Sequence, residues 1–340
     1  DGWSGMIFGQ LTGKKRVGDA VFADLNYRVK RWDIFGNIQY AHSASHERSE
    51  ERLAFGKRSV ASRNDANNKI SQLGGTMGVN YTADNGGSAG LKYVYMLHPN
   101  QNVCSGTALT ESFNSGSRRL VRGWDADYSI RQNYHLVNGY YRHEMSRRRL
   151  FQTDIDMLHI NGLYGQSKNF ASEGKTLLES NHFNSWLYAG KVIYGFPLWG
   201  VDVKIGSEMS RTKMVADNGV VGTLQTAMSS SKSVSEQNSY ALFWDGYVRL
   251  KDFSFSLGLR AEHVNFNYYS NNRYDADASY TSTLLYPSVV VSYTKGSNRV
   301  SLSYDYSVAR PTYQQLNNST SFVSDYVYKV GNPLLRSANI

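Results

Sequence analysis

Apolar and polar residues alternate along much of this chain, and this period of two constrains its fold more than any other feature. Successive side chains of a β-strand point to opposite faces, so the alternation predicts strands with one apolar and one polar face. In residues 253–262 the odd positions are Phe, Phe, Leu, Leu and Ala, whereas the even positions are Ser, Ser, Gly, Arg and Glu. Residues 201–206 and 300–309 alternate similarly. Helical periodicity is nearly absent, so we predict an all-β chain of roughly thirteen strands.

The predicted connections between strands are alternately short and long. The short links are residues 30–31, 83–87, 146–148, 197–200, 251–252 and 295–298. The long polar segments between them are residues 43–69, 98–124, 166–182, 211–238 and 270–283. In an antiparallel up-and-down meander, alternate connections lie at opposite ends, so one end would carry short turns and the other long loops. This arrangement is typical of transmembrane β-barrels of the bacterial outer membrane.

The composition agrees with the wall of such a barrel. Aromatic residues make up 13% of the chain, yet the mean hydropathy is −0.48. A wall with one lipid face and one wet face averages to a polar value. No stretch of about 18 apolar residues is present, and a spanning strand needs only about 10 residues. A soluble sandwich or propeller also alternates apolar and polar residues, but neither predicts the alternation of short and long connections.

Charged rows of a barrel are predicted to face its lumen. An Arg or Lys at the middle of the lipid face would cost about 2–4 kcal/mol, so the aliphatic rows must contact lipid. The predicted lipid-facing residues include Leu257, Leu259, Val201, Val203, Leu302 and Tyr304. The predicted lumen-facing residues are Asp24, Asn26, Arg28, Asp202, Lys204, Glu208, Arg260, Glu262 and Asp305. We predict that these lumen-facing residues contact a plug or a solute. The alternative is that they only line a hydrated wall and contact water.

Residues 265–280 are predicted to form a loop that is rich in aromatic rings. Its aromatic residues are Phe266, Tyr268, Tyr269, Tyr274 and Tyr280, among Asn and Asp residues. Rings beside hydrogen-bonding amides suit sugars or other amphipathic ligands. Ligand contact is therefore one prediction for this loop, and packing of the loop on itself is the other.

The sequence contains no arrangement of residues that predicts catalysis. Ser88 lies in a Gly-x-Ser-x-Gly sequence, but a predicted strand follows it where a nucleophile elbow requires a helix. His42 and His46 would share a face only on a helix, and Asp275 and Asp277 lack the rest of a calcium loop. We therefore predict no enzyme, no metal site and no cofactor. The net charge of +9 is scattered, and solvent or lipid headgroups account for it better than nucleic acid does.

Short motifs follow one another in the last third of the chain. They begin with GLRAE at 258–262 and LYPS at 285–288, and they continue with Arg310, Pro311, Tyr313, Leu316, Asn317, Gly331, Asn332 and Pro333. This succession resembles the TonB-dependent receptor-like outer membrane β-barrel family of the Bacteroidetes. The chain departs from the family pattern at 318–319, where Pro and an aromatic residue are usual, and at 336–338, where Lys/Arg-Pro-Glu is usual. Both departures concern the loop that these motifs bracket.

The resemblance implies a receptor that imports a nutrient across the outer membrane of a Gram-negative cell. The nutrient would be a ferric chelate, a glycan, a peptide or a vitamin. The resemblance also implies a barrel of about 22 strands, in which residues 1–340 would lie between an N-terminal plug domain and the closing strands. The implied partners are outer-membrane lipid and lipopolysaccharide, the plug, a TonB-type energy-coupling complex and a surface lipoprotein. A structural or adhesive barrel is the alternative function.

Overall fold

Thirteen consecutive strands form one antiparallel sheet in which each strand pairs with the next along the chain. The computed structural model describes residues 1–13, 17–113, 117–145, 148–226 and 228–339. The strands are β1 (Gly2–Gly13), β2 (Val17–Val29), β3 (Trp32–Phe55), β4 (Arg58–Thr82), β5 (Gly87–Phe113), β6 (Arg118–Met145), β7 (Arg149–Phe170), β8 (Lys175–Leu198), β9 (Val201–Gly222), β10 (Ser231–Leu250), β11 (Phe253–Ser270), β12 (Arg273–Lys295) and β13 (Asn298–Asp305). The predicted all-β meander is confirmed. Within the described ranges, none of the helices has the length and apolar character of a membrane span.

Short turns join the strands at one end of the sheet, which we call the short-turn end. The predicted links at 30–31 and 251–252 are two-residue turns, and in each of them the first residue, Lys30 or Lys251, has a positive φ of 52° or 51°. The links at 83–87, 197–200 and 295–298 also contain turns. Residues 146 and 147 of the remaining link lie outside the described residues.

The opposite end, which we call the extended end, differs from the prediction because its long polar segments are mostly strands and not loops. β3 and β4 contain 24 and 25 residues and meet at the turn 56–57. β5 and β6 contain 27 and 28 residues. Beyond a lipid layer both faces of a strand meet water, so the period of two disappears from the sequence while the hydrogen bonds between strands persist.

The alternating rows lie on opposite faces of the sheet, as predicted. The exposed fraction of Leu257 and of Leu259 is 47%. Leu257 pairs with Val289, which pairs with Tyr304, so these side chains share the outer face. Val203 is an exception to the predicted lipid contact, because it is only 5% exposed.

The apolar row of β11 changes face beyond Ala261. The inward residues Val264, Phe266 and Tyr268 are buried, whereas His263 on the outward row is polar and exposed. The lipid-facing band of this strand therefore covers residues 253–261. Its length agrees with the roughly 9–11 residues that a strand needs to cross a bilayer.

The chain after β13 folds into the concave side of the sheet, and we call residues 306–339 the C-terminal segment. It contains β14 (Val308–Ala309), α1 (Tyr313–Leu316), β15 (Thr320–Ser324), β16 (Val327–Val330) and β17 (Ala338–Asn339). The N-terminus of α1 is closed by a capping box between Thr312 and Gln315.

The sheet curves around this segment. The Tyr326 ring lies 6.0 Å from Phe55 on β3, and Arg336 donates a hydrogen bond of 3.3 Å to the Ala278 carbonyl on β12. Ser49 on β3 and Met214 on β9 line one cavity, although a flat sheet would place these strands about 29 Å apart.

Candidate functional site

A cavity of about 1060 Å³ lies between the C-terminal segment and the concave face of the sheet, and we call it the inner cavity. Its wall comes from β3 to β9, and the C-terminal segment supplies the opposite side. Amide side chains are frequent in the lining. The sheet contributes Asn64, Gln132, Gln166 and Asn181, and the segment contributes Gln314, Gln315, Asn317 and Asn332.

The inner cavity is close to neutral in charge. Among the described residues that line it, Glu51 and Lys329 alone are charged. Serine and threonine hydroxyls add further polar groups, at Ser62, Thr107 and Ser321. Each amide or hydroxyl both donates and accepts hydrogen bonds, so the lining offers both roles without net charge.

Two stacked rings form an apolar surface inside this polar lining. The ring centroids of Tyr164 and Phe183 are 5.4 Å apart, and the rings are inclined by 20°. Both residues line the inner cavity. A Cβ atom at Gly162 would fall on the ring carbons of Phe183, so the absence of a side chain there lets this ring lie against the backbone.

Replacing Gly162 by alanine should therefore displace the Phe183 ring and destabilise the protein. Forced repacking of this kind costs about 1–3 kcal/mol. The Gly190→Ala variant is the control, because the nearest atom to a Cβ there is 3.9 Å away, an ordinary contact. Thermal unfolding of the purified protein in detergent measures both. Equal midpoints for the two variants would contradict this account of Gly162.

Lys168 anchors the C-terminal segment to the sheet. Its side chain is 1% exposed, and its Nζ lies 3.2 Å from Glu179 Oε1 and donates a hydrogen bond to the Phe322 carbonyl. The same ammonium lies 4.8 Å from the centroid of the Phe322 ring. Burial lowers the pKa of Lys168, and the Glu179 carboxylate acts against this shift. Lys168 lies beyond the lipid-facing band, where Asn169 is exposed on the outward row.

Two ion pairs between the sheet and the segment add to this anchor. Arg122 on β6 pairs with Asp325 of the segment, and its Nε lies 2.6 Å from Glu173 Oε1. Arg310 donates a hydrogen bond of 2.7 Å to Glu262, a buried carboxylate on β11. The cations at the edge of the inner cavity are thus already paired with carboxylates.

Three of the predicted lumen-facing residues, Glu208, Arg260 and Glu262, lie together where Arg310 of the segment contacts the sheet. Arg260 Nη1 lies 3.1 Å from Glu208 Oε2, and Arg260 Nη2 lies 3.8 Å from Glu262 Oε1. Ser239 donates a further hydrogen bond of 2.6 Å to Glu262. These residues form an anchor for the segment, a role that the sequence did not predict.

The other predicted lumen-facing residues lie away from the inner cavity. Asp24, Asn26 and Arg28 share one face of β2 and alternate with Leu25, which is exposed, and Tyr27, which is half-buried. Asp202 and Lys204 line a second cavity of about 790 Å³ at the short-turn end, where Asp202 pairs with Arg148. Asp305 lies at the end of β13 and is exposed.

The aromatic residues of 265–280 do not lie in a loop, so that prediction is wrong. β11 and β12 continue through this region to a two-residue turn at Asn271 and Asn272. Phe266 and Tyr268 are buried with Ala278 and Leu316, while Tyr280 and Tyr313 pack against this cluster. Tyr274 is exposed and packs against Tyr269. The segment covers the inward rings, which a reading of local sequence could not anticipate. Ligand contact by these residues stays a prediction.

The residues of the family motif hold the turns of the C-terminal segment. Asn317 Oδ1 accepts a hydrogen bond of 2.8 Å from the Ser319 N–H, and a Cβ at Gly331 would collide with the Asn317 carbonyl. The Asn332 N–H donates to the Gln315 carbonyl at 2.7 Å. The Tyr313 ring packs against the buried cluster that contains Phe266 and Tyr268. Arg310 forms the anchor described above, and Pro311 and Pro333 flank these turns.

The sequence-based prediction missed the residues that line the inner cavity. Tyr164, Asn181 and Phe183 lie inside or beside the segment 166–182, which was predicted to be a loop. Alternate positions counted back from Lys191 along β8 place Asn181 and Phe183 on the inward row, so the period of two could have identified these residues.

His42 and His46 do not share a site. His42 forms a hydrogen bond with Ser71, and His46 forms one with Asn67. In the described part of the chain, no group of three or more His, Cys, Asp or Glu side chains is arranged to hold a metal ion.

Comparisons with known proteins identify a family and two solved structures to which the chain is similar. The model of the outer membrane protein beta-barrel family matches residues 149–340. The chain is similar to the siderophore receptor PiuA from Acinetobacter baumannii, with a TM-score of 0.56 and 11% identity over 91% of this chain and 49% of that one. It is also similar to the beta domain of the Bordetella autotransporter BrkA, with a TM-score of 0.29 and 10% identity over 86% of this chain and 97% of that one.

The likeness to PiuA shows a shared fold, and the chain spans about half the length of that receptor. No curated protein matches the chain.

Proposed function

Because the chain belongs to the outer membrane protein beta-barrel family, we propose that it forms the wall of a receptor that binds a nutrient and imports it. The protein lies in the outer membrane of a Gram-negative bacterium. The observation that carries the proposal is the inner cavity, a space of solute size on the concave face. A barrel with a purely structural role has no need of such a polar cavity beside its wall.

The proposal includes a plug domain and energy coupling. The motif resemblance to Bacteroidetes receptors supports a barrel of about 22 strands, whose plug would be moved by a TonB-type complex. The wall toward the short-turn end is charged, with Lys204 beside the Asp202–Arg148 ion pair, and a charged surface of this kind suits contact with a folded domain of complementary charge. Lipopolysaccharide around the outer face and a surface lipoprotein over the extended end complete the proposed assembly.

We propose that this receptor makes and breaks no covalent bonds. Ser88 is the second residue of β5, and a strand follows it where a nucleophile elbow requires a helix. Hydrolase activity of the purified protein that disappears in the Ser88→Ala variant would contradict this part of the proposal.

An adhesive barrel is the second candidate function. Its support is the length of β3 to β6, which contain 24 to 28 residues and project beyond the band that a bilayer covers. Projecting strands present a large polar surface, which suits contact with a matrix or another cell.

Deleting the gene should abolish growth on at least one scarce nutrient. Cells are grown on limiting ferric chelates, glycans, peptides and vitamins as sole sources, and uptake of each labelled compound is measured. The intact gene supplied on a plasmid should restore uptake, and a protonophore should stop it, because the proposed transport consumes the proton gradient. Unchanged uptake of every compound, together with weaker adhesion of the deletion strain to surfaces, would favour the adhesive function.

A further inference from the structure

We propose that the inner cavity binds a neutral oligosaccharide, so that the imported nutrient is a glycan. This inference rests on the proposed import function and specifies its substrate class. It is carried by three properties of the lining, namely its charge, its hydrogen-bonding groups and its aromatic surface.

The charge of the lining disfavours ligands with a net charge. One carboxylate, Glu51, and one ammonium, Lys329, are the charged groups among the described lining residues. The nearby cations Arg122, Lys168 and Arg310 already pair with carboxylates. A charged chelate would therefore give up hydration without finding a matching charge, which is unfavourable.

The hydrogen-bonding groups of the lining match hydroxyl groups. Gln132, Gln166 and Asn181 on the sheet face Gln314 and Asn332 on the segment. Each amide places a donor and an acceptor side by side, and a sugar hydroxyl likewise donates and accepts. Several hydrogen bonds between amides and sugar hydroxyls can therefore form at once, and no buried polar group is left without a hydrogen-bond partner, which would weaken binding.

The stacked rings supply the apolar part of the site. A sugar ring has polar edges and faces covered by C–H groups, and these faces pack on aromatic rings as other apolar groups do. Tyr164 and Phe183 present such a surface next to Gln166 and Asn181. The volume of about 1060 Å³ is slightly above the range for small-molecule sites, roughly 300–1,000 Å³, and suits a short oligosaccharide.

Calorimetric titration of the full-length protein in detergent tests the proposal. The probes are neutral malto-, cello-, xylo-, manno- and fructo-oligosaccharides, an iron(III) tris-catecholate chelate and a neutral peptide. At least one oligosaccharide should bind, with affinity lost about ten-fold in Phe183→Ala, which removes the stacked ring. Gln132→Met, which keeps the side-chain shape but not the amide, should weaken binding by a similar factor. Trp199→Ala is the control, because Trp199 is a 94% exposed ring in a turn at the short-turn end and lies outside the cavity lining.

Several outcomes would overturn the proposal. They are binding of the chelate or the peptide alone, no binding of any oligosaccharide, or oligosaccharide binding that survives both Phe183→Ala and Gln132→Met. Energy-dependent uptake of the chelate would leave the import function standing while the glycan is rejected. If the purified protein binds an oligosaccharide but cells take up none of the probes, the import function is rejected while the cavity remains a glycan-binding site.

Discussion

Arginine in place of Leu257 should greatly reduce the amount of this protein in the outer membrane. Leu257 lies at the middle of the lipid-facing band of β11, residues 253–261, and is 47% exposed. A guanidinium group at the bilayer midplane costs about 2–4 kcal/mol. This cost corresponds to a shift of roughly 30- to 700-fold between the inserted and the unfolded protein. Quantitative immunoblots of outer-membrane fractions, and urea unfolding in lipid vesicles, would measure it.

The adjacent residue offers a matched control. Ser256 lies on the inward row of the same strand and lines the cavity at the short-turn end. Arginine there has access to water, so Ser256→Arg should insert nearly as well as the unchanged protein. If the two variants insert equally well, or if Ser256→Arg is the more harmful, the assignment of the outer face to lipid is wrong.

Replacing Lys168 by alanine should release the C-terminal segment from the sheet. The change leaves the Glu179 carboxylate without its ammonium and removes the contact with the Phe322 carbonyl and ring. Removing one partner of a buried ion pair costs about 3–5 kcal/mol, because the remaining charge is left uncompensated. Amide hydrogen exchange of peptides from 313–330 should then accelerate by at least about 100-fold.

Lys175→Ala is the control for this experiment. Lys175 also forms an ion pair, with Glu173 at 3.0 Å, but both side chains are partly exposed to solvent. Such a pair contributes about 0–1 kcal/mol, so exchange in the segment should change little. Equal protection of the segment in Lys168→Ala and in the unchanged protein would show that Lys168 is not its anchor.

The part of the fold that crosses the membrane could be predicted from the sequence. Along residues 253–261 one face of the strand contacts lipid and the other contacts water. Neighbouring positions are therefore alternately apolar and polar, and this alternation is visible in the sequence. The polar ends of β3 to β6 carry no such contrast. Their strands are held by backbone hydrogen bonds, which leave no pattern of apolar residues, and they were therefore predicted to be loops.

The candidate site was beyond prediction for a different reason. It exists where two distant parts of the chain meet, and the contacts that bring them together are long-range. Arg122 and Asp325 are 203 positions apart, and Lys168 and Phe322 are 154 positions apart. The motif residues Arg310 and Asn317 pointed to the segment, but their number and spacing say nothing about the strands that it contacts.

The shared construction of the inner cavity has a consequence for how such proteins diversify. One continuous stretch, residues 306–339, supplies about half of the amide side chains of the lining, and it lies on the concave side of the sheet. Selection could therefore exchange this stretch, by recombination or by clustered mutation, and alter half of the recognition surface in a single event. The membrane-embedded scaffold would need no compensating change as long as the two anchoring ion pairs and the contact of Lys168 with the Phe322 carbonyl were retained.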